Sequence, residues 1–486
     1  MPPETPRGRD RARDRTVFVV FGLLLVSYVA ILAAVGRFPF FDEIFYKSAG
    51  REWAQRGRFA APELWGFYDL VPPIQDVFFA YPPLYPFLYG LYVRVVGFGE
   101  TSCIVFDASI HAALAAATCA TARAVAPEIS ARRAVLAGLA VLPLGLLGRP
   151  DELAMTFGML GLRHLHAMPL DARRAATAGV FFGFMGATSS ATAFQLGLVA
   201  LPHVLFAPGE RVKRTLAWIA SGALGLALLV APLLLSRPDA FRQSFQIAPS
   251  QVVGPSLGAL GEAWTLGSAF VCCSLGVVVC AGIACERSAR FVRLWGGAIV
   301  AVLDVAILVP QKHPYMWFCG PWAVAAFAGE AGRVAGSRRW PGLLLLGALY
   351  VGAASRQAED FLVHLTLPRE QRFEAAAERV RALVPPGSRV VTREHWTALA
   401  WDRSVFDSFF AKPDLATIDY IVLTSNGARA HSLAVTMLMG DERKRFVRDH
   451  FEVVFDGLNR EPNRLFGVPL GDRAWGYGAV VLKRVR

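Results

Sequence analysis

Along residues 17 to 355, uncharged apolar runs alternate with short connections that hold much of the chain's arginine. The first run, Val17 to Gly36, is long enough to cross about 30 Å of hydrocarbon as a helix. Further spans are expected near 102–122, 133–148, 153–169, 175–189, 191–206, 216–236, 265–284, 294–310, 316–330 and 340–355. Between the first run and the second lies a long polar and aromatic loop, residues 37–101. Two of its stretches carry helical patterns suited to lying along a membrane surface. One runs from Ile44 to Gly57; the other opens at Tyr81-Pro82-Pro83-Leu84-Tyr85 and ends at Gly97. Prolines fit the first turn of a helix, where a missing N–H costs nothing. The aromatics from Phe78 to Tyr92 suit an interfacial belt.

Charge sets the orientation of these spans. Cytoplasmic loops collect Lys and Arg. With residues 1–16 inside, every loop predicted to be inside is basic: Arg123/Arg132/Arg133, Arg173/Arg174, Arg211/Lys213/Arg214, Arg287/Arg290/Arg293 and Arg333/Arg338/Arg339. The result is about eleven spans with the C-terminal part on the far side. Composition agrees, since 54% of residues are hydrophobic and only 18% charged. That balance excludes a soluble globular chain of this length. The net charge of +12 is accounted for by these loops and does not point to nucleic acid. The seven cysteines fall in apolar segments without metal-ligand spacing and read as small hydrophobes.

Beyond residue 356 the pattern changes. Residues 357–486 contain no spanning run. A helix is expected over Glu370–Leu383, with short strands at Arg389–Thr392, Tyr420–Thr424, Phe451–Phe455 and Ala479–Leu482. These describe a small extracytoplasmic α/β domain.

Four polar clusters arrive at the outer ends of the spans. They are Asp42-Glu43; Arg149-Pro150-Asp151-Glu152; Arg237-Pro238-Asp239 with Arg242; and Gln311-Lys312-His313-Pro314-Tyr315. Charges beside hydrocarbon are costly, and their convergence on one side suggests a site. Carboxylates supply a base, Lys and Arg hold phosphate, and aromatic surface helices hold lipid or sugar. This set suits transfer of a group from a lipid-linked phosphate. No G-x-S-x-G nucleophile elbow lies in an outer loop, and no H-E-x-x-H, Walker loop or G-x-G-x-x-G occurs. Arg163-His164-Leu165-His166 falls at an inner end and reads as an interfacial cluster. A transporter is the alternative. It would place polar groups near the midplane on broken helices, often in repeated halves. Here charges keep to span ends, apart from Asp107 and Asp304, and no duplication is evident.

The order and sidedness of these motifs resemble the GT-C superfamily of membrane glycosyltransferases. They resemble in particular bacterial family 39 and aminoarabinose-transferase-like members, over residues 17–355. The resemblance implies a GT-C-like α-helical polytopic fold and a polyprenyl-phosphate monosaccharide donor. It also implies an inverting displacement onto a glycolipid, polysaccharide or protein acceptor. Carried over by position, Asp42 is the base and Glu43 its partner. Lys312, His313, Tyr315 and Arg149 would face the donor phosphate. Asp151, Tyr81, Tyr85 and Arg242 would contact substrate. No outer cage of carboxylates is evident, so no metal or other cofactor is expected.

Overall fold

The computed structural model describes residues 6–36, 43–62, 82–144, 148–166, 170–206, 209–239, 318–334, 366–392, 404–407, 414–425, 441–457, 464–465, 468–469 and 477–485. Helix α1, Pro6–Val35, turns Val19, Leu23 and Val26 outward at 62%, 63% and 67% exposure. So much bare aliphatic surface suits lipid and would be costly in water. Among the described residues three helices are long and apolar enough to cross a membrane: the part of α1 from Asp14 to Val35, α4 (Glu100–Val125) and α9 (Arg211–Ser236).

Two shorter helices follow α1 closely, α2 (Glu43–Arg56) and α3 (Leu84–Val96), both where surface helices were expected. They cross at Gly50 and Gly90. A Cβ on Gly50 would come within 2.5 Å of the Pro86 carbonyl oxygen, so only glycine permits the approach. The expected span over 133–148 is not one continuous helix. Helix α5 is Ala131–Leu139, nine residues, followed by a single 3-10 turn at Leu142–Leu144. At 1.5 Å per residue it reaches only about 14 Å, short of a full crossing. Pro143 and the glycines around it, which hydropathy alone ignores, interrupt the helix. Helices α6 (Pro150–His166), α7 (Ala172–Gly186), α8 (Ser190–Phe206) and α10 (Gly320–Val334) complete the described bundle. The spans expected near 265–284, 294–310 and 340–355 lie outside the described residues.

The C-terminal part forms a five-stranded sheet of order β2-β1-β3-β7-β4. Its strands are β1 (Arg389–Thr392), β2 (Ser404–Asp407), β3 (Tyr420–Ser425), β4 (Phe451–Asp456) and β7 (Gly478–Arg484). A two-residue pair, β5 (Arg464–Leu465) with β6 (Val468–Pro469), lies apart from it. β1 runs parallel to β2 and β3, whereas β7 is antiparallel to β3 and β4. Helix α11, Phe373–Leu383, buries Phe373, Ala376, Ala377 and Val380, the periodicity seen in the sequence. Helix α12, Asp441–His450, contributes Val447 to a second cluster with Val391, Ile421 and Leu482. Sheet and membrane region are not independent. Phe373, Val380, Tyr420 and Tyr477 belong to one buried cluster with Tyr46, Tyr85, Tyr89 and Phe106. Arg381 Nη2 also donates to Glu100 Oε1 at 3.0 Å, and Arg372 Nη1 to the Val35 carbonyl at 3.4 Å.

Candidate active site

Helix α2 begins at Glu43 and places Lys47 one turn later on the same face. Both side chains are buried, at 3% and 1% exposure. Lys47 Nζ donates to Glu43 Oε2 at 2.9 Å and to Asp107 Oδ2 at 2.6 Å. Tyr85 of α3 donates its hydroxyl to Asp107 Oδ1 at 2.6 Å. Asp107 sits inside α4, so this chain of contacts ties α2 and α3 to a helix long and apolar enough to cross a membrane. An ammonium between two carboxylates in a dry setting is held strongly, because removing one partner strands buried charge. One turn beyond Tyr85, the Tyr89 hydroxyl lies 2.9 Å from Cys103 Sγ. Burial pushes the Tyr89 pKa well above its ordinary value, so the hydroxyl stays protonated. Tyr85 and Tyr89 both pack edge-on against Phe106, centroids 5.5 and 5.2 Å apart.

The second acidic cluster reaches the same place. Gly148 has φ +93°, and a Cβ there would overlap the Glu43 carboxylate. The turn before α6 therefore closes directly over the end of Glu43. Beyond that turn, Arg149 Nε donates to Asp151 Oδ2 at 2.6 Å. Ser189, just before α8, and Thr192 in its first turn donate their hydroxyls to Asp151 Oδ1 at 2.7 and 3.2 Å. The next residue, Glu152, points the other way and pairs with His111 of α4, Oε1 to Nδ1 at 2.9 Å. His111 Nε2 lies 3.1 Å from the Leu142 carbonyl in the broken segment after α5. Four carboxylates are thus fixed by five helices, each with a named partner.

Among the predicted site residues, the structure brings Glu43, Arg149, Asp151 and Tyr85 together. Arg237 and Asp239 lie exposed at the end of α9. Asp42, Tyr81, Arg242, Lys312, His313 and Tyr315 lie outside the described residues. Lys47, His111 and Glu152 join the site without having been assigned a role from the sequence. Asp107 stood out only as a charge inside a span. Among the described residues no three His, Cys, Asp or Glu side chains gather as a metal site.

No protein-family model and no curated protein sequence matches the chain. Solved structures do match its fold. ArnT from Cupriavidus metallidurans bound to undecaprenyl phosphate superimposes with a TM-score of 0.58 at 12% identity, covering 96% of this chain and 97% of that one. The chain has the GT-C fold. The mycobacterial arabinofuranosyltransferase AftD matches with a TM-score of 0.52 at 14% identity, over 95% of this chain and 40% of its own. The apo oligosaccharyltransferase of Archaeoglobus fulgidus gives 0.51 at 12% identity, over 94% of this chain and 75% of its own. All are GT-C glycosyltransferases. The GT-C expectation drawn from motif order therefore holds for the fold, at identities where sequence comparison alone finds nothing.

Proposed function

We propose that the chain is a membrane glycosyltransferase that moves a monosaccharide from a polyprenyl-phosphate donor to an acceptor hydroxyl at the extracytoplasmic face. The observation that carries this reading is the burial of Glu43 against Gly148. It brings Glu43 against the turn that leads to Arg149 and Asp151, in a fold shared with an enzyme solved with undecaprenyl phosphate.

In this reading Asp42 takes the acceptor proton as the acceptor oxygen bonds to the anomeric carbon. The bond from that carbon to the phosphate oxygen breaks, and the lipid phosphate leaves with the electron pair. A single displacement inverts the anomeric centre. Glu43, the residue after Asp42 in the sequence, is held by Lys47 at the start of α2. Lys312, His313, Tyr315 and Arg149 balance the charge developing on the leaving phosphate. Asp151 and the aromatic residues Tyr81 and Tyr85 shape the sugar and acceptor side, with Arg242. The topology is about eleven spans, N-terminus cytoplasmic and C-terminal domain outside, in the plasma membrane.

The test is lipid mass spectrometry on cells lacking the gene, rescued with wild type or with Asp42→Asn. Accumulation of a polyprenyl-phosphate monosaccharide that only wild type clears supports the reading and identifies the sugar. An unchanged pool rejects it.

A further inference from the structure

One side chain holds the chain on both sides of Gly148, the residue that meets the Glu43 carboxylate. Leu142 precedes Gly148 and Glu152 follows it. His111 of α4 contacts both: Nδ1 lies 2.9 Å from Glu152 Oε1, and Nε2 lies 3.1 Å from the Leu142 carbonyl oxygen. The His111 and Glu152 side chains are 0% and 1% exposed. The Tyr28 ring of α1 lies 5.8 Å from the imidazole, centroid to centroid, and packs on its side.

The donors and acceptors fix where the protons are. A backbone carbonyl only accepts, so His111 Nε2 carries a proton. Nδ1 faces a carboxylate oxygen, so a second proton lies on that contact, either on nitrogen or on oxygen. In both arrangements the pair carries no net charge, which suits its burial.

Neither end of this segment is held by helical continuity alone. Helix α5 has ended at Leu139, and Pro143 supplies no N–H to a further helical ladder. At the other end, Glu152 lies in the first turn of α6 beside Asp151. Successive side chains on a helix point about 100° apart. With Glu152 fastened to His111, α6 is turned so that Asp151 reaches Arg149, Ser189 and Thr192. Asp107, one turn before His111 on α4, takes Lys47 and Tyr85. One face of α4 thus holds Glu43 through Lys47, and the segment that meets Glu43 through His111.

We infer that His111 and Glu152 are positioning residues for transfer: together they hold Gly148 against Glu43 and keep Asp151 on its partners. This inference rests on the transferase reading and deepens it.

Hydrogen–deuterium exchange of the full-length protein in detergent, measured beside turnover, tests it. His111→Leu alone strands the Glu152 carboxylate, so the variant to measure is His111→Leu/Glu152→Leu, in which both groups leave together. It should insert and purify. Peptides that contain Gly148 should exchange at least about fivefold faster than in wild type, with those of α9 unchanged. Its kcat should fall at least about tenfold while the donor KM changes less than about twofold. Glu152→Gln gives a rescue. Its amide can donate to Nδ1 while Nε2 keeps Leu142, so its kcat should exceed that of Glu152→Leu by at least about fivefold. Wild-type exchange around Gly148 in the double variant overturns the inference, because His111 would then not hold the segment. Faster exchange with wild-type kcat also overturns it, since the held geometry would not serve transfer. A wild type that transfers no sugar retires the transferase reading and the role in transfer with it, and the exchange comparison still decides whether His111 holds the segment.

Discussion

Lys47 Nζ lies 2.6 Å from Asp107 Oδ2, which fastens α2 to the middle of α4 at a point neither exposes to solvent. Lys47→Met leaves Glu43 and Asp107 buried without their shared cation. The expected cost is about 3–5 kcal/mol, read as a lowered unfolding midpoint in detergent. The double variant Lys47→Met/Asp107→Leu should regain only the part of that stability due to Asp107, since Glu43 stays buried without its cation. Its turnover should stay low because Glu43 has lost its anchor. Recovery of turnover with stability would show that Lys47 serves packing alone.

Gly148→Ala tests the closure over Glu43. The residue sits at positive φ, which costs a side chain of order 1 kcal/mol, and its Cβ would displace the carboxylate. Transfer should fall by at least about tenfold while the protein still inserts and purifies. Wild-type turnover would remove Glu43 from the reacting geometry.

Asp151 accepts from Arg149, Ser189 and Thr192. Ser189→Ala removes one neutral hydrogen bond, so stability should fall by about 1 kcal/mol, with a modest effect on turnover. Asp151→Ala strands the Arg149 guanidinium and should raise the donor requirement more than the acceptor requirement. The reverse ranking would move Arg149 out of the phosphate side.

Docking of the C-terminal domain should depend on Phe373 far more than on Arg381. The Arg381–Glu100 pair is partly exposed, and such pairs contribute about 0–1 kcal/mol. Phe373 is 4% exposed within the shared cluster and packs edge-on against Tyr477. Truncating it to Ala costs about 3–5 kcal/mol. Limited proteolysis should release the domain in Phe373→Ala and spare it in Arg381→Ala. The opposite result would make the interface electrostatic.

The helices over 43–56 and 84–96 and strands β1, β3, β4 and β7 were legible in the sequence, whereas the edge strand β2 (Ser404–Asp407) and the short β5–β6 pair were not expected. Glu43 and Arg149-Asp151 drew notice because charged clusters converge on one side of the predicted spans, and the structure buries the Glu43 carboxylate against the turn that leads to Arg149 and Asp151. His111 did not. It stands alone in an alanine-rich helix, and its partner Glu152 is on another helix, so no local spacing links them. Lys47 is a single cation within the stretch from Ile44 to Gly57, and nothing in its spacing marks it out. Its burial depends on Asp107, which only packing brings near. The interruption after Leu139 was hidden because Leu, Val, Gly and Pro keep the hydropathy high while Pro143 denies the backbone a donor.

The cluster joining Tyr46 and Tyr85 to Phe373 and Tyr477 also fixes an order of events during biosynthesis. Translation proceeds at about 5–20 residues per second. Helices α2 and α3 are therefore made roughly a minute or less before α11 and β7 exist to cover their aromatic faces. Until then the scaffold around Glu43 lacks one of its walls. A chain interrupted before residue 373 would hold Glu43, Asp107, Asp151 and Glu152 and still lack the residues that cover Tyr46 and Tyr85.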